Sequence, residues 1–223
     1  MASGHYVWDF GAFFRNLPFL LSGMEITILV SLLAMVVGSV VGLFVALARL
    51  SKFRPLRMAA AFYVDFLRST PLLVQLVWVF FALPILLGHS LTPIVAGVAT
   101  LGAYSGAYLA EIFRAGILSV ASGQRHAALA LGMTGAQVLR RIVLPQAVTR
   151  MLPPIASTFI TLVKDSSLVS IISVAELMWA AQSLASVSLR PVEVLTGTGL
   201  LYVALTYPLS LVAELARRRF LAV

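Results

Sequence analysis

The chain has 223 residues, 61% of them hydrophobic and 11% charged, with a mean hydropathy of +1.01. Soluble domains are about half apolar and about a quarter charged, so a water-soluble domain of this size is excluded and the solvent is largely lipid. The formal net charge is +8, yet the basic residues sit in a few short places, which argues against nucleic acid as the partner.

Residues 1–16 hold Trp8, Phe10, Phe13 and Phe14 beside Asp9 and Arg15. Aromatics at headgroup depth predict a short interfacial segment. The remainder, 17–223, reads as one transmembrane domain, because neither an internal repeat nor a low-complexity linker divides it. A membrane helix needs about 20 mostly apolar residues, and five stretches qualify. The first, Leu17 to Leu47, lacks the basic leader and small-residue cleavage site of a signal peptide, so it is expected to be retained. It carries Glu25 in its outer half, and Gly38 and Gly42 at a spacing that either lets helices approach closely or reflects only how common glycine is in membrane helices.

The second span, Met58 to Leu87, contains Thr70-Pro71, and a proline there predicts a kink. The third runs from Leu91 to Val120. The fourth, Ile142 to Val163, opens near Pro145, and Pro153-Pro154 predict a second break or kink. From Ser166 to Ala185 the spacing of Leu168, Ile171, Ile172, Ala175 and Met178 predicts one short amphipathic helix, too polar to span. The fifth span is Val194 to Ala216.

Charge placement orients these spans. Arg49, Lys52, Arg54 and Arg57 lie between spans one and two, Arg125, Arg140 and Arg141 between three and four, and Arg217, Arg218 and Arg219 at the end. With five spans all three places share one side, and the positive-inside rule makes that side the cytoplasm. The N-terminus is then outside and the C-terminus inside.

Little points to catalysis. Cysteine is absent, and His5, His89 and His126 are not spaced as metal ligands. A Walker loop is also missing, so ATP, if used, is bound by another chain. Ionisable residues inside spans are costly in hydrocarbon and usually face the bundle interior or a wet path. Asp65 and Arg68, three apart, can meet on one helix face, and they lie roughly 12 to 18 Å above Arg57. Glu111 and Arg114 repeat the spacing and read as a structural ion pair. Lys164, Asp165, Ser166 and Ser167 close span four. With Asp65, Arg68, Thr70 and Gln75 they are the candidates for a translocation path, the alternative being that the charged groups are satisfied ion pairs holding helices together. Gln146 is polar beside span four, where such groups more often bond helix to helix.

Between spans three and four stands Gly123-Gln124-Arg125-His126-Ala127-Ala128-Leu129-Ala130-Leu131-Gly132-Met133, followed by Leu144-Pro145-Gln146-Ala147. The alanines make a narrow helix, Gly132 permits a left-handed exit, and Pro145 opens the next span. With Arg68-Ser69-Thr70-Pro71-Leu72-Leu73-Val74-Gln75 and Lys164-Asp165-Ser166-Ser167-Leu168, in that order and spacing, the chain resembles the polar amino acid permeases of ABC importers, of the histidine, glutamine and arginine type. The resemblance runs from about Gly23 to the C-terminal arginines. It implies an all-α type I importer permease fold in the bacterial inner membrane, and a transport subunit rather than an enzyme. It also implies two ATPase subunits, a second permease subunit (identical or a sister chain), an external solute-binding protein and a polar amino acid substrate. ATP and Mg would be bound by the ATPase partner. The loop of about 121–141 is then the ATPase-docking element, with Gly123, Gln124, His126, Ala127, Ala128, Gly132 and Pro145 carrying it. In one departure, His126 stands where the family usually has glutamate, so a hydrogen-bonding ring replaces a negative charge. The alternative is an ion-coupled secondary transporter or channel without an ATPase, with Asp65 or Glu25 as coupling-ion residues. Such proteins often show paired repeats, which are not found here.

Overall fold

The computed structural model describes residues 6–221; His5 lies outside them, as does the side chain of Arg219. The described chain is helical throughout: α1 (Gly11–Arg15), α2 (Leu17–Leu50), α3 (Arg54–Ser69), α4 (Leu72–Val77), α5 (Leu83–Leu87), α6 (Pro93–Leu118), α7 (Ser122–Ala130), α8 (Gly135–Val138), α9 (Leu144–Asp165), α10 (Leu177–Ser188) and α11 (Pro191–Leu221). Wide π-type turns, Trp78–Ala82 and Leu139–Val143, join α4 to α5 and α8 to α9. Among the described residues, four helical stretches are long and apolar enough to cross a membrane: Leu17–Leu50, Pro93–Leu118, Gly135–Ile172 and Pro191–Leu215. Arg54–Ser69 with Leu72–Leu87 makes a fifth, bent by 106°.

The bend follows from Pro71. Proline disfavours helical backbone in the residue before it, and Thr70 is extended, with φ −108° and ψ 141°. The carbonyls freed at the break need partners in an apolar setting. Gln75 supplies them: its amide donates to the Leu67 and Thr70 carbonyls at 2.8 and 3.1 Å, and to Thr70 Oγ1 at 2.7 Å.

The central seam is α2 against α6, where small residues face each other. A Cβ on Gly38 would meet Ser105 Oγ at 2.3 Å, and one on Gly42 would meet the Gly106 carbonyl at 2.9 Å. Around the seam, Val30, Ala34, Leu72, Leu76, Leu101, Leu162 and Val169 form the main apolar core. A second core, Phe13, Leu20, Leu177, Ala181 and Val194, ties α1 and α10 to the starts of α2 and α11. Large apolar side chains such as Phe44, Phe62 and Ile85 stay exposed, the surface expected of helices solvated by lipid.

Two expectations are corrected. Pro153 and Pro154 do not break span four, since α9 runs through both without interruption. The stretch after Asp165 is two elements rather than one amphipathic helix. A 3-10 helix, Ser166–Ile172, ends where Ser173 takes a left-handed φ of 64°, and α10 starts only at Leu177.

Candidate functional site: a membrane cavity and an arginine-tied loop

Tyr104 and Tyr108 are four apart on α6 and so share a face. Their hydroxyls lie 3.1 Å apart. Opposite them α9 presents Ser157, Thr158, Thr161 and Asp165, and these groups with Ser105 and Leu162 line a cavity of about 240 Å³. That is below the roughly 300–1,000 Å³ of sites for drug-sized ligands, a size suited to a small solute. The hydroxyl protons of Ser105, Ser157 and Thr158 are spent on backbone carbonyls of their own helices, so their oxygens are left to accept. Asp165 has no ion-pair partner among the described residues. The guanidinium of Arg68 stacks over the Tyr108 ring at 5.0 Å. The site thus joins an unpaired carboxylate, a cation held at an aromatic wall, and hydroxyl acceptors.

The other candidates are placed differently. Asp65 and Arg68 form no ion pair, and Asp65 is exposed, as is Glu25. Lys164 is also exposed and does not line the cavity. Ser166 and Ser167 bond to the Val163 and Lys164 carbonyls. Thr70 and Gln75 border a separate, apolar groove beside Phe66 and Trp78. Glu111 is paired with Arg114 at 2.9 Å and also with Arg49, so it links α2 to α6. No metal-binding cluster is present among the described residues.

Beyond α6, the loop forms α7 and α8 on a small apolar core of Val120, Ala128, Val138 and Val143. Helix α7 ends by the geometry expected of glycine. Gly132 has φ 79°, its N–H donates to Leu129 at 3.0 Å, and the Met133 N–H donates to Ala128 at 3.1 Å. This paired closure is the Schellman motif. Thr134 and Gln137 cap α8 reciprocally. Gln124, His126 and Ala127 are exposed on α7, Ala128 is buried beneath it, and Pro145 opens α9. Gln146 donates to Gln124 Oε1 at 2.7 Å.

Several polar residues escaped the sequence reading. Glu176 is fully buried and caps α10 by accepting from the Trp179 N–H at 2.8 Å. It also accepts from Thr27 on α2 at 3.1 Å and from Tyr202 on α11 at 2.9 Å. Its signal was a lone acid just before an apolar helix. Glu193, likewise fully buried, accepts from the Tyr6 hydroxyl, the Asp9 N–H and Arg190. The i,i+4 pair Tyr104 and Tyr108 was visible, but only the packing of α9 makes it a cavity wall.

Residues 38–221 match the family described as binding-protein-dependent transport system inner membrane component. The chain is 35% identical to the arginine transport system permease protein of Bacillus subtilis (strain 168), over 95% of this chain and 96% of that one. It is 41% identical to the L-cystine transport system permease protein of the same organism, over 91% and 86%. Identity to the glutamine transport system permease protein of Escherichia coli (strain K12) is 34%, over 95% and 97%. Among solved structures, the crystal structure of an amino acid ABC transporter with histidines matches at TM-score 0.90 and 36% identity, covering 96% of this chain and 100% of that one. The MetNI methionine ABC transporter, in inward facing conformations, shares the fold at TM-score 0.69 and 20% identity, over 96% and 99%.

Proposed function

Because the chain belongs to the family of binding-protein-dependent transport system inner membrane components, we propose that it is the permease of an ATP-driven importer of polar amino acids. It is a multi-pass subunit of the inner membrane with a type I importer fold. Its arginine-rich end faces the cytoplasm, by the positive-inside rule. The relatives that support the substrate class carry arginine, cystine and glutamine in their names, and these share only the α-ammonium and α-carboxylate.

The observation that carries the reading is the cavity between α6 and α9. Asp165, unpaired, receives the ammonium, helped by hydroxyl oxygens of Ser157 and Thr158, while Arg68 at the Tyr108 wall attracts the carboxylate. No bond of the substrate is made or broken here, so the chain is a conduit and not an enzyme. ATP and Mg are bound by two ATPase subunits, which grip α7 through Gln124, His126 and Ala127. When they close on ATP, α7 moves with them and the cavity changes the side to which it opens. A second permease subunit completes the path, and an external solute-binding protein delivers the substrate.

Two experiments test this. The chain is co-expressed with its candidate ATPase, with and without Gly123–Gly132 replaced by a Gly-Ser linker. The ATPase should co-purify with the native chain and be lost from the replaced one. In proteoliposomes, Asp165→Asn should lower amino acid uptake about tenfold or more, the effect of losing one charge-assisted hydrogen bond. Unchanged uptake would remove Asp165 from the path.

A further inference from the structure

Two arginines from different elements converge on the C-terminal end of α6. The last carbonyls of a helix have no partner within it, and cations there also complement the helix dipole. Arg125, on α7, donates to the Ile117 carbonyl, and Arg150, on α9, donates to the Ser119 carbonyl. Arg125 reaches inward: its Nε is buried, beside a cavity of about 200 Å³ bordered by Val138 and Val143. Gln146 closes the figure by bonding α9 to Gln124 on α7. Each side of the triangle formed by the end of α6, the start of α9 and α7 is therefore tied by one polar link.

The loop has supports of its own besides these links. The apolar core of Val120, Ala128, Val138 and Val143 lies beneath α7 and α8, and the closures at Gly132 and Thr134 are local. What the arginines add is a polar link from α7 to the end of α6, through Arg125, and one from α9 to the same end, through Arg150.

We propose that Arg125 and Arg150 are positioning residues that act in series, Arg125 carrying the motion of α7 to the end of α6 and Arg150 passing it from there to α9, so that their loss uncouples ATP hydrolysis from transport without releasing the ATPase. This rests on the reading of α7 as the docking helix. A rigid tie transmits a displacement, whereas a loop held only by apolar contact can pivot and absorb it. An arginine fork aimed at a carbonyl fixes direction in a way that a lysine point charge does not.

The test uses the whole transporter in proteoliposomes, measuring ATPase content, ATP hydrolysis and amino acid uptake together. For Arg125→Gln with Arg150→Gln, the ATPase content should match the parent, hydrolysis should persist, and ATP consumed per molecule imported should rise about tenfold, the factor equivalent to ~1.4 kcal/mol of lost coupling. The double lysine variant should recover part of the ratio. Gln146→Leu, a milder break in the same triangle, should raise the ratio less. An unchanged ratio overturns the proposal, as does a parallel fall of hydrolysis and uptake. Loss of the ATPase from the arginine variants also overturns it, since the arginines would then secure docking itself. Failure of the docking reading is separate: it would leave the parent without an ATPase, or the Gly-Ser replacement still holding one.

Discussion

Single residues here act through backbone geometry and burial more than through reactive chemistry. Gly132 and Gly123 both have open space where a Cβ would stand, but only Gly132 holds a left-handed φ. Gly132→Ala should therefore weaken the α7 closure by about 1–2 kcal/mol, read as poorer ATPase retention through purification, while Gly123→Ala in helical backbone is harmless. Equal retention by the two variants would refute the conformational account. Glu176 is the opposite case, a buried acid held by three elements. Glu176→Ala removes the cap of α10 and strands the Tyr202 hydroxyl, at a cost of about 2–4 kcal/mol, seen as a lower Tm in detergent; Glu176→Gln should cost much less. Burial raises this carboxyl above the usual range, against the hydrogen bonds that favour its ionised form. The folded state then keeps the proton to higher pH than the unfolded chain does. The stability linked to that proton is full below the unfolded pKa and is lost as pH rises through the folded one. Between those limits Tm should fall with pH in the parent and stay flatter in Glu176→Gln.

At the scale of elements, the α2–α6 seam depends on the lack of side chains. Gly38→Val would drive a branched side chain into Ser105 and the Gly102 carbonyl, and overpacking of this kind costs about 1–3 kcal/mol or more. Thermal melting of the purified protein checks it, and an unchanged Tm would show that the seam can yield. Much of this level was legible in the sequence. Apolar length marked the five spans, Gly38 and Gly42 marked the seam, and Thr70-Pro71 marked the bent span. The size of the bend, 106°, was not legible, and neither was Gln75 reaching back to carbonyls that proline leaves free. Pro153-Pro154 mark no break, since α9 continues through both: proline lowers helix propensity, but it does not end a helix whose apolar face is packed. The cavity was half visible. Asp165 and Arg68 stood out as charges in apolar surroundings, whereas the tyrosine wall and the buried Glu176 arise from contacts between distant parts of the chain. A local pattern does not encode which distant helix will face it.

For the whole molecule, the distribution of arginines makes an orientation that can be measured. Arg49 meets Glu111 toward the end of α6, and Arg217 borders a cavity with Pro153 in the first half of α9, so basic residues far apart in sequence gather toward one end. The chain has no cysteine, which makes single introduced cysteines free of background. An impermeant maleimide should label Val187→Cys, exposed beside the end of α10, only from outside, and Ser51→Cys only from inside; the reverse pattern would invert the topology. The tie between Glu193 and the amino-terminal segment also bears on how the protein is made. Asp9 and Glu193 are separated by 184 positions, and ribosomes add about 5–20 residues per second. Tyr6 and Asp9 leave the ribosome early, yet their acceptor follows roughly 10–40 s later by that rate. Through that interval the aromatic segment lacks its buried acceptor, so one of the first pieces synthesised is among the last to be fully tied in.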